Sequence, residues 1–329
     1  MAMLTTGLED EHIGVDDLNF LALLGVGVFN EVLLAESKTS KKLYAVKSLQ
    51  KKSIISYNET NHVQIEKRVL LLANKDRHPF LLNMHVCFQT ENQLFFLVNY
   101  VAGGNLLLHI QRGVRFRLEQ AQFYAAEICL ALKYLHEHGI IHRNLKLSDI
   151  LLDLEGHIMI SDYRYCKEDM WHNSRTHTFC GTNERLPPEV LLDEPYGRAV
   201  DWWGFGIMLY QMLCYSTPFP GDDEDEIYDA ILDDQPTMTS NLSPEGKSIL
   251  QNLLQKKPER RLGSGPMDAQ EIMSHRFFKD IIWDDVYHKR VEVPFKPTIR
   301  HPQDTSNFDQ SLQECDFTPV GLSEGAGMS

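Results

Sequence analysis

The chain offers nothing that pairs its cysteines. Cys87, Cys129, Cys166, Cys180, Cys214 and Cys315 are scattered, with no CxxC pair and no histidine at metal-binding spacing. That argues against a zinc module and favours free thiols over a disulfide framework. Long apolar runs are also lacking: the stretch 18–29 is broken by Gly25 and Gly27, whereas a membrane helix needs ~20 apolar residues. The opening residues MAMLTTGLEDEHIG have no basic-then-apolar order of a secretion signal. The expected compartment is therefore the cytoplasm, with the nucleus left open. Positive charge is in deficit, 32 Lys and Arg against 46 Asp and Glu for a net charge of -14. An acidic body of this kind argues against nucleic acid and anionic membrane as main partners. No internal repeat is visible.

What is present reads as a packed globular chain. Of its 329 residues, 43% are hydrophobic and 24% charged, enough for one bilobal unit or two domains. The first half is strand-like: apolar runs at 18–24, 31–35 and 43–49 are separated by a glycine turn and a polar loop, and two more lie at 82–88 and 93–100. Between them, residues 63–74 change to helical spacing, with Ile65, Val69, Leu70 and Leu72 near one face. The pair Gly103-Gly104 then reads as a flexible joint. Beyond it the chain is mostly helical. Residues 118–138 carry a helix that stops at Gly139, and 200–213 are apolar enough for a buried central helix. From Pro294 onward periodicity is lost, which predicts a tail wrapped on the body or partly disordered.

Three constellations carry chemistry. Gly25-Val26-Gly27-Val28-Phe29-Asn30 lies between two strands, where a loop of small residues lets backbone N–H groups approach phosphates. A glycine-rich hairpin turn is the plainer reading of the same words. Asn30 occupies the third glycine position and crowds the phosphate side. Lys47 ends a strand and Glu66 sits on the following helix; a lysine held by a helix glutamate positions the α- and β-phosphates of a nucleotide. The third is His142-Arg143-Asn144-Leu145-Lys146-Leu147-Ser148-Asp149, followed by Ser161-Asp162-Tyr163-Arg164 and by Pro187-Pro188-Glu189.

In order and spacing these words resemble the eukaryotic protein-kinase signature set, over about residues 17 to 319. Flanking words such as Thr178-Phe179-Cys180-Gly181-Thr182, Val200-Asp201-Trp202-Trp203 and Val293-Pro294-Phe295-Lys296-Pro297 are similar to fungal protein kinase C, within the AGC kinases. The resemblance implies an α+β, bilobal protein-kinase fold. Residues 1–16 would be an N-terminal extension and 17–280 the kinase domain, with a β-rich N-lobe over about 17–101 and a helical C-lobe over about 105–280. Residues 281–329 would form a shortened AGC-type tail.

It further implies ATP and Mg2+ as cofactors. Gly25, Gly27, Val32, Ala45, Lys47, Glu66, Asn99, Val101 and Leu151 would bind the nucleotide, with Leu106 beside Leu151 under the adenine, and Asp149 and Asp162 would hold the metal. Asn144 and Lys146 would stand at the catalytic positions. Leu70, Met84, His142 and Tyr163 would stack as a column between the lobes, seated on Asp201, and Glu189 would pair with Arg261. Thr178 matches the activation-segment phosphosite and Thr318 a remnant of a tail phosphosite, while the terminal hydrophobic motif and the lipid- and calcium-binding modules have no counterpart in the sequence.

The departures from the family pattern concern the chemistry itself. The family has Asp at 144, where the carboxylate orients the substrate hydroxyl; the carboxamide of Asn144 is a far poorer proton acceptor. It has Asn at 149, where Asp149 keeps an oxygen ligand and adds charge. Arg164 replaces the glycine of Asp-Phe-Gly, placing a long cation beside Asp162; it would either take the place of a magnesium ion or project into solvent. Asn105 and Ser148 are neutral where substrate-binding acids are expected. The acidic run Asp222–Glu226 would dock a basic peptide or merely favour a helix N-terminus. Three functions fit: a catalytically impaired pseudokinase acting as a scaffold or allosteric partner, a weakly active ATP-dependent Ser/Thr kinase, or an interaction module that binds no nucleotide. The expected partners are ATP and either a basic Ser/Thr peptide or a protein.

Overall fold

The structure is a computed structural model that describes residues 4–5, 13–27, 30–181, 183–240 and 242–312. Its N-terminal part holds strands β1 (Leu4–Thr5), β2 (Leu18–Val26), β3 (Asn30–Ser37) and β4 (Leu43–Gln50), then helices α1 (Lys51–Ser56) and α2 (Thr60–Asp76), then β5 (Met84–Gln89) and β6 (Gln93–Asn99). The strands form one six-stranded sheet in the order β1-β5-β6-β4-β3-β2. Every pairing is antiparallel, so short turns suffice to connect neighbours. The strand expected from residue 82 begins instead at Met84, because Leu81 and Leu82 are engaged by Ile160 across the lobe boundary. Helix α1 has no counterpart in the sequence reading; only Ile54 of it is buried.

The C-terminal part is helical: α3 (Leu106–Gln111), α4 (Leu118–Glu137), the small hairpin β7 (Ile150–Leu152) and β8 (Ile158–Ile160), α5 (Pro188–Leu191), α6 (Ala199–Cys214), α7 (Glu224–Asp233), α8 (Pro244–Leu253), α9 (Ala269–Met273) and α10 (Trp283–Tyr287). Helix α6 is apolar on all sides, and Trp202, Trp203 and Phe205 are fully enclosed. A helix without a polar face belongs at the centre of its lobe, and each such aromatic side chain contributes about 2–3 kcal/mol on burial. Together these elements make the bilobal protein-kinase fold.

One expectation changes on contact with the fold, and one of two alternatives gains support. Gly103 and Gly104 are not a loose joint. A Cβ on Gly103 would lie 2.4 Å from the Leu152 carbonyl, and one on Gly104, whose φ is +69°, would lie 2.0 Å from the Asn307 carbonyl. Glycine is required there because β7 and the tail close on the chain from both sides. The acidic run is the start of α7: Asp223 accepts the Glu226 amide at 2.9 Å, and Glu226 accepts the Asp222 amide at 2.8 Å. These acids satisfy orphan helix donors, which accounts for their position. Cys87, Cys129 and Cys166 are buried free thiols and Cys180 and Cys214 are half-buried; Cys315 lies outside the described residues.

Candidate active site

The cleft between sheet and helices is a cavity of ≈ 370 Å3. Antiparallel register puts Val32 opposite Lys47 on β3 and β4, so Gly25, Val32, Ala45 and Lys47 share one roof. The floor is Leu151 on β7, and the back is the connecting strand, where Asn99 and Val101 line the wall. The Asn99 side chain is held by His85 and by Asn83. Leu106, expected beside Leu151, is fully buried behind the cavity and does not line it, because α3 turns its first residue into the C-lobe core. Asn105 caps that helix, accepting the Leu108 amide at 2.8 Å, so its side chain has a structural task.

Lys47 Nζ lies 2.5 Å from Glu66 Oε1. Burial drives the Glu66 carboxyl above its usual range and Lys47 opposes that rise. The residues expected to form the interlobe column are enclosed. Leu70, Met84, His142 and Tyr163 are all buried, with the His142 and Tyr163 rings 6.2 Å apart. The Tyr163 hydroxyl donates to the Ile160 carbonyl at 2.7 Å. Asp201 accepts the amides of His142 and Arg143, both at 2.7 Å, and this anchorage holds Arg143 at φ 68°, a backbone state of higher energy for an arginine. His136 bridges Asp201 at 2.9 Å and Asp268 at 3.0 Å.

At the inner end of the cavity the Arg164 guanidinium grips Asp162, Nε to Oδ1 at 3.0 Å and Nη2 to Oδ2 at 2.9 Å. Of the two alternatives for Arg164, this is not projection into solvent: the guanidinium lies on Asp162. Burial works against the charge of Asp162, but Lys47 and Arg164 outweigh it and hold the carboxyl well below the usual range. Asp149 behaves oppositely. Burial and the adjacent Asp162 push its carboxyl up to about 7, although Lys146, Arg164 and Arg185 pull the other way. Lys146 Nζ stands 3.7 Å from Asp149 Oδ1. Asn144 is buried as well, but unlike Asp149 and Asp162 it does not line the cavity.

The fold brings in residues that the sequence reading missed. Phe308 of the tail returns to line the cavity and stacks on Tyr100, centroids 5.9 Å apart. Asn307 donates to the Ala102 and Thr298 carbonyls at 3.3 and 3.0 Å, and Tyr100 donates to the Asp304 carbonyl at 2.8 Å. A lone aromatic in an aperiodic tail gives no periodic signal. Arg185 is the second: half-buried, it acts on Asp149 from the side of the activation segment. Glu189 and Arg261 form a buried double hydrogen bond of 2.6 and 2.8 Å. Thr178 is exposed, and its carbonyl accepts the Tyr196 hydroxyl at 2.5 Å. Thr318 lies outside the described residues.

A family model described as a protein kinase domain matches residues 18–278. The chain belongs to the protein kinase family. This kinase domain is 60% identical over 309 residues to the protein kinase C of Aspergillus fumigatus, covering 94% of the chain and 28% of that protein. It is 52% identical over 302 residues to protein kinase C-like 2 of Schizosaccharomyces pombe, covering 92% of the chain and 30% of that protein. Over 304 residues it is 45% identical to serine/threonine-protein kinase N2 of Danio rerio, covering 92% of the chain and 31% of that protein. The kinase domain thus spans about three tenths of the length of these curated relatives. Among the described residues no helix is long and apolar enough to cross a membrane. Kinases of this fold use ATP and magnesium.

Proposed function

We propose that this protein kinase C-like serine/threonine kinase domain, spanning residues 17–280 with its tail beyond, is impaired in phosphoryl transfer while its cleft still takes an adenine nucleotide. The observation that carries the reading is that Asp162 is already neutralised by Arg164, in a chain whose Asn144 is a carboxamide at the family's carboxylate position. A neutral amide cannot take the substrate proton, and loss of such a group costs orders of magnitude in rate. The nucleotide half of the proposal rests on the intact Lys47–Glu66 pair and the apolar surfaces of Val32, Ala45 and Leu151. A domain with that frame and no chemistry suits an allosteric or scaffold role. Thr178, exposed on the activation segment, is its proposed phosphorylation site.

One observation favours a second reading, a weakly active kinase. Asp149 has a carboxyl near neutrality, pushed up to about 7 by burial and by Asp162, the range suited to a general base. In that reading it takes over part of the task of the missing carboxylate toward a basic Ser/Thr peptide.

Phosphate incorporation into a basic peptide, measured beside Lys47→Met to exclude a contaminant, separates the two. Turnover within about tenfold of an ordinary kinase rate of 1–100 per second would overturn impairment. Melting temperature with millimolar adenosine or ATP tests the nucleotide half, since a ligand that binds only the folded state raises it.

A further inference from the structure

The metal positions implied by the family do not fit a divalent ion in this arrangement. Both carboxylate oxygens of Asp162 are taken by Arg164, through Nε at 3.0 Å and Nη2 at 2.9 Å, and the Arg164 amide adds a third bond to Oδ1 at 3.2 Å. A two-pronged guanidinium–carboxylate pair is strong and directional. Magnesium demands octahedral oxygen ligands at ~2.0–2.1 Å, and it would have to expel the guanidinium to gain Asp162. Of the two expected metal ligands, Asp149 keeps a buried oxygen, Oδ2, without a hydrogen-bond partner, as does Glu66 through Oε2. Among the described residues no group of three side chains is disposed to hold a metal.

We propose that the cleft binds its nucleotide as the metal-free polyphosphate, with Arg164 cancelling the Asp162 charge that the ion cancels elsewhere in the family. The inference rests on the nucleotide-binding reading above. In a metal-dependent site an uncovered aspartate repels the phosphates until the ion neutralises both. Here the Asp162 charge is cancelled from within the chain, and that of Glu66 is cancelled by Lys47 at 2.5 Å. Lys146, at 3.7 Å, stands against Asp149, and Arg185 acts on the same carboxyl. Of the charged residues that line the cavity, Lys47 and Arg164 stand against Glu66, Asp149 and Asp162, 2 − 3, and Lys146 and Arg185 draw on Asp149 from outside that lining. With Asp162 and Glu66 each paired inside the chain, a bare anion meets less repulsion than beside uncovered acids. A magnesium-bound nucleotide carries less negative charge and would bring its ion against the guanidinium, so the metal has nothing to add.

Calorimetric titration of ATP into the full chain, once with EDTA and once with magnesium, tests this. We expect an affinity in EDTA equal to or greater than that in magnesium. Arg164→Gly should weaken EDTA binding by about tenfold, a loss of ~1.4 kcal/mol, and make the remaining binding depend on magnesium. Arg164→Lys, which keeps the charge without the fork, should retain metal-free binding and shows whether any loss in the glycine variant is a folding defect. Binding that appears only with magnesium, or an EDTA affinity unchanged by Arg164→Gly, overturns the inference and leaves the adenine reading standing. Adenosine binding without ATP binding has the same meaning. Failure of adenosine and ATP alike, with and without metal, overturns both.

Discussion

Arg164 and Asp162, two residues apart, close a bidentate ion pair of 3.0 and 2.9 Å at the inner end of the cleft. An arginine thus covers both oxygens of the acid that the family uses for its metal. The pair is half-screened at most, with side-chain exposures of 22% and 15%, so it is not a surface contact that salt would dissolve.

Repair of catalysis should require more than one residue. Asn144→Asp alone adds a second buried carboxylate to a loop that already holds Asp149, and like charges oppose one another's ionisation. Asn144→Asp with Asp149→Asn restores the family's order of acid and amide but leaves Arg164 on Asp162. Initial rates of peptide phosphorylation should rank the triple variant with Arg164→Gly above the double, and the double above the parent. A double variant as fast as the triple would remove Arg164 from the explanation.

Stability should fall on the alkaline side through His136. Burial disfavours its charge, but hydrogen bonds to Asp201 and Asp268 outweigh burial and raise it to about 9. A raised folded value means that the contribution is complete below the unfolded value of about 6.5 and is lost as pH rises through about 9. Asp201 and Asp268 are lowered despite burial, chiefly by His136, and their share is lost on the acid side. Urea unfolding across pH should show a loss on the order of 2 kcal/mol between about pH 7 and about pH 9. His136→Leu should flatten that limb while lowering stability throughout; an unchanged slope would refute the assignment.

The Glu189–Arg261 pair is fully enclosed, so breaking one side leaves a buried charge without its partner. Arg261→Met should destabilise by about 3–5 kcal/mol, whereas Arg261→Met with Glu189→Leu should recover part of that loss. Chemical denaturation of the singles and the double decides it through the coupling energy. Additive losses would mean that the two side chains act independently.

Phe308 should matter to ligand and little to folding. It covers one edge of the cleft by stacking on Tyr100, while the tail is separately tied down by Asn307 and Asp304. Phe308→Ala should weaken adenosine binding by roughly three- to tenfold, the equivalent of about 1 kcal/mol of apolar contact. The melting temperature should move by no more than a few degrees.

The amino-acid sequence by itself determined the family, the sheet and the chief helices. Strand runs, the apolar helix α6 and the ordered motif words depend on local pattern, and local pattern survives without knowledge of contacts. It also exposed the anomalies at Asn144, Asp149 and Arg164, because each stands inside a word whose spacing is otherwise regular. Only the tertiary structure decided what those anomalies do. A long arginine side chain has many rotamers, and whether it met solvent, Asp149 or Asp162 depended on which partner burial left uncompensated. The same holds for Gly103 and Gly104, read as a joint and found clamped between Leu152 and Asn307. Phe308 and Arg185 reach the site from far along the chain. Their roles rest on long-range approach, which no sequence window records.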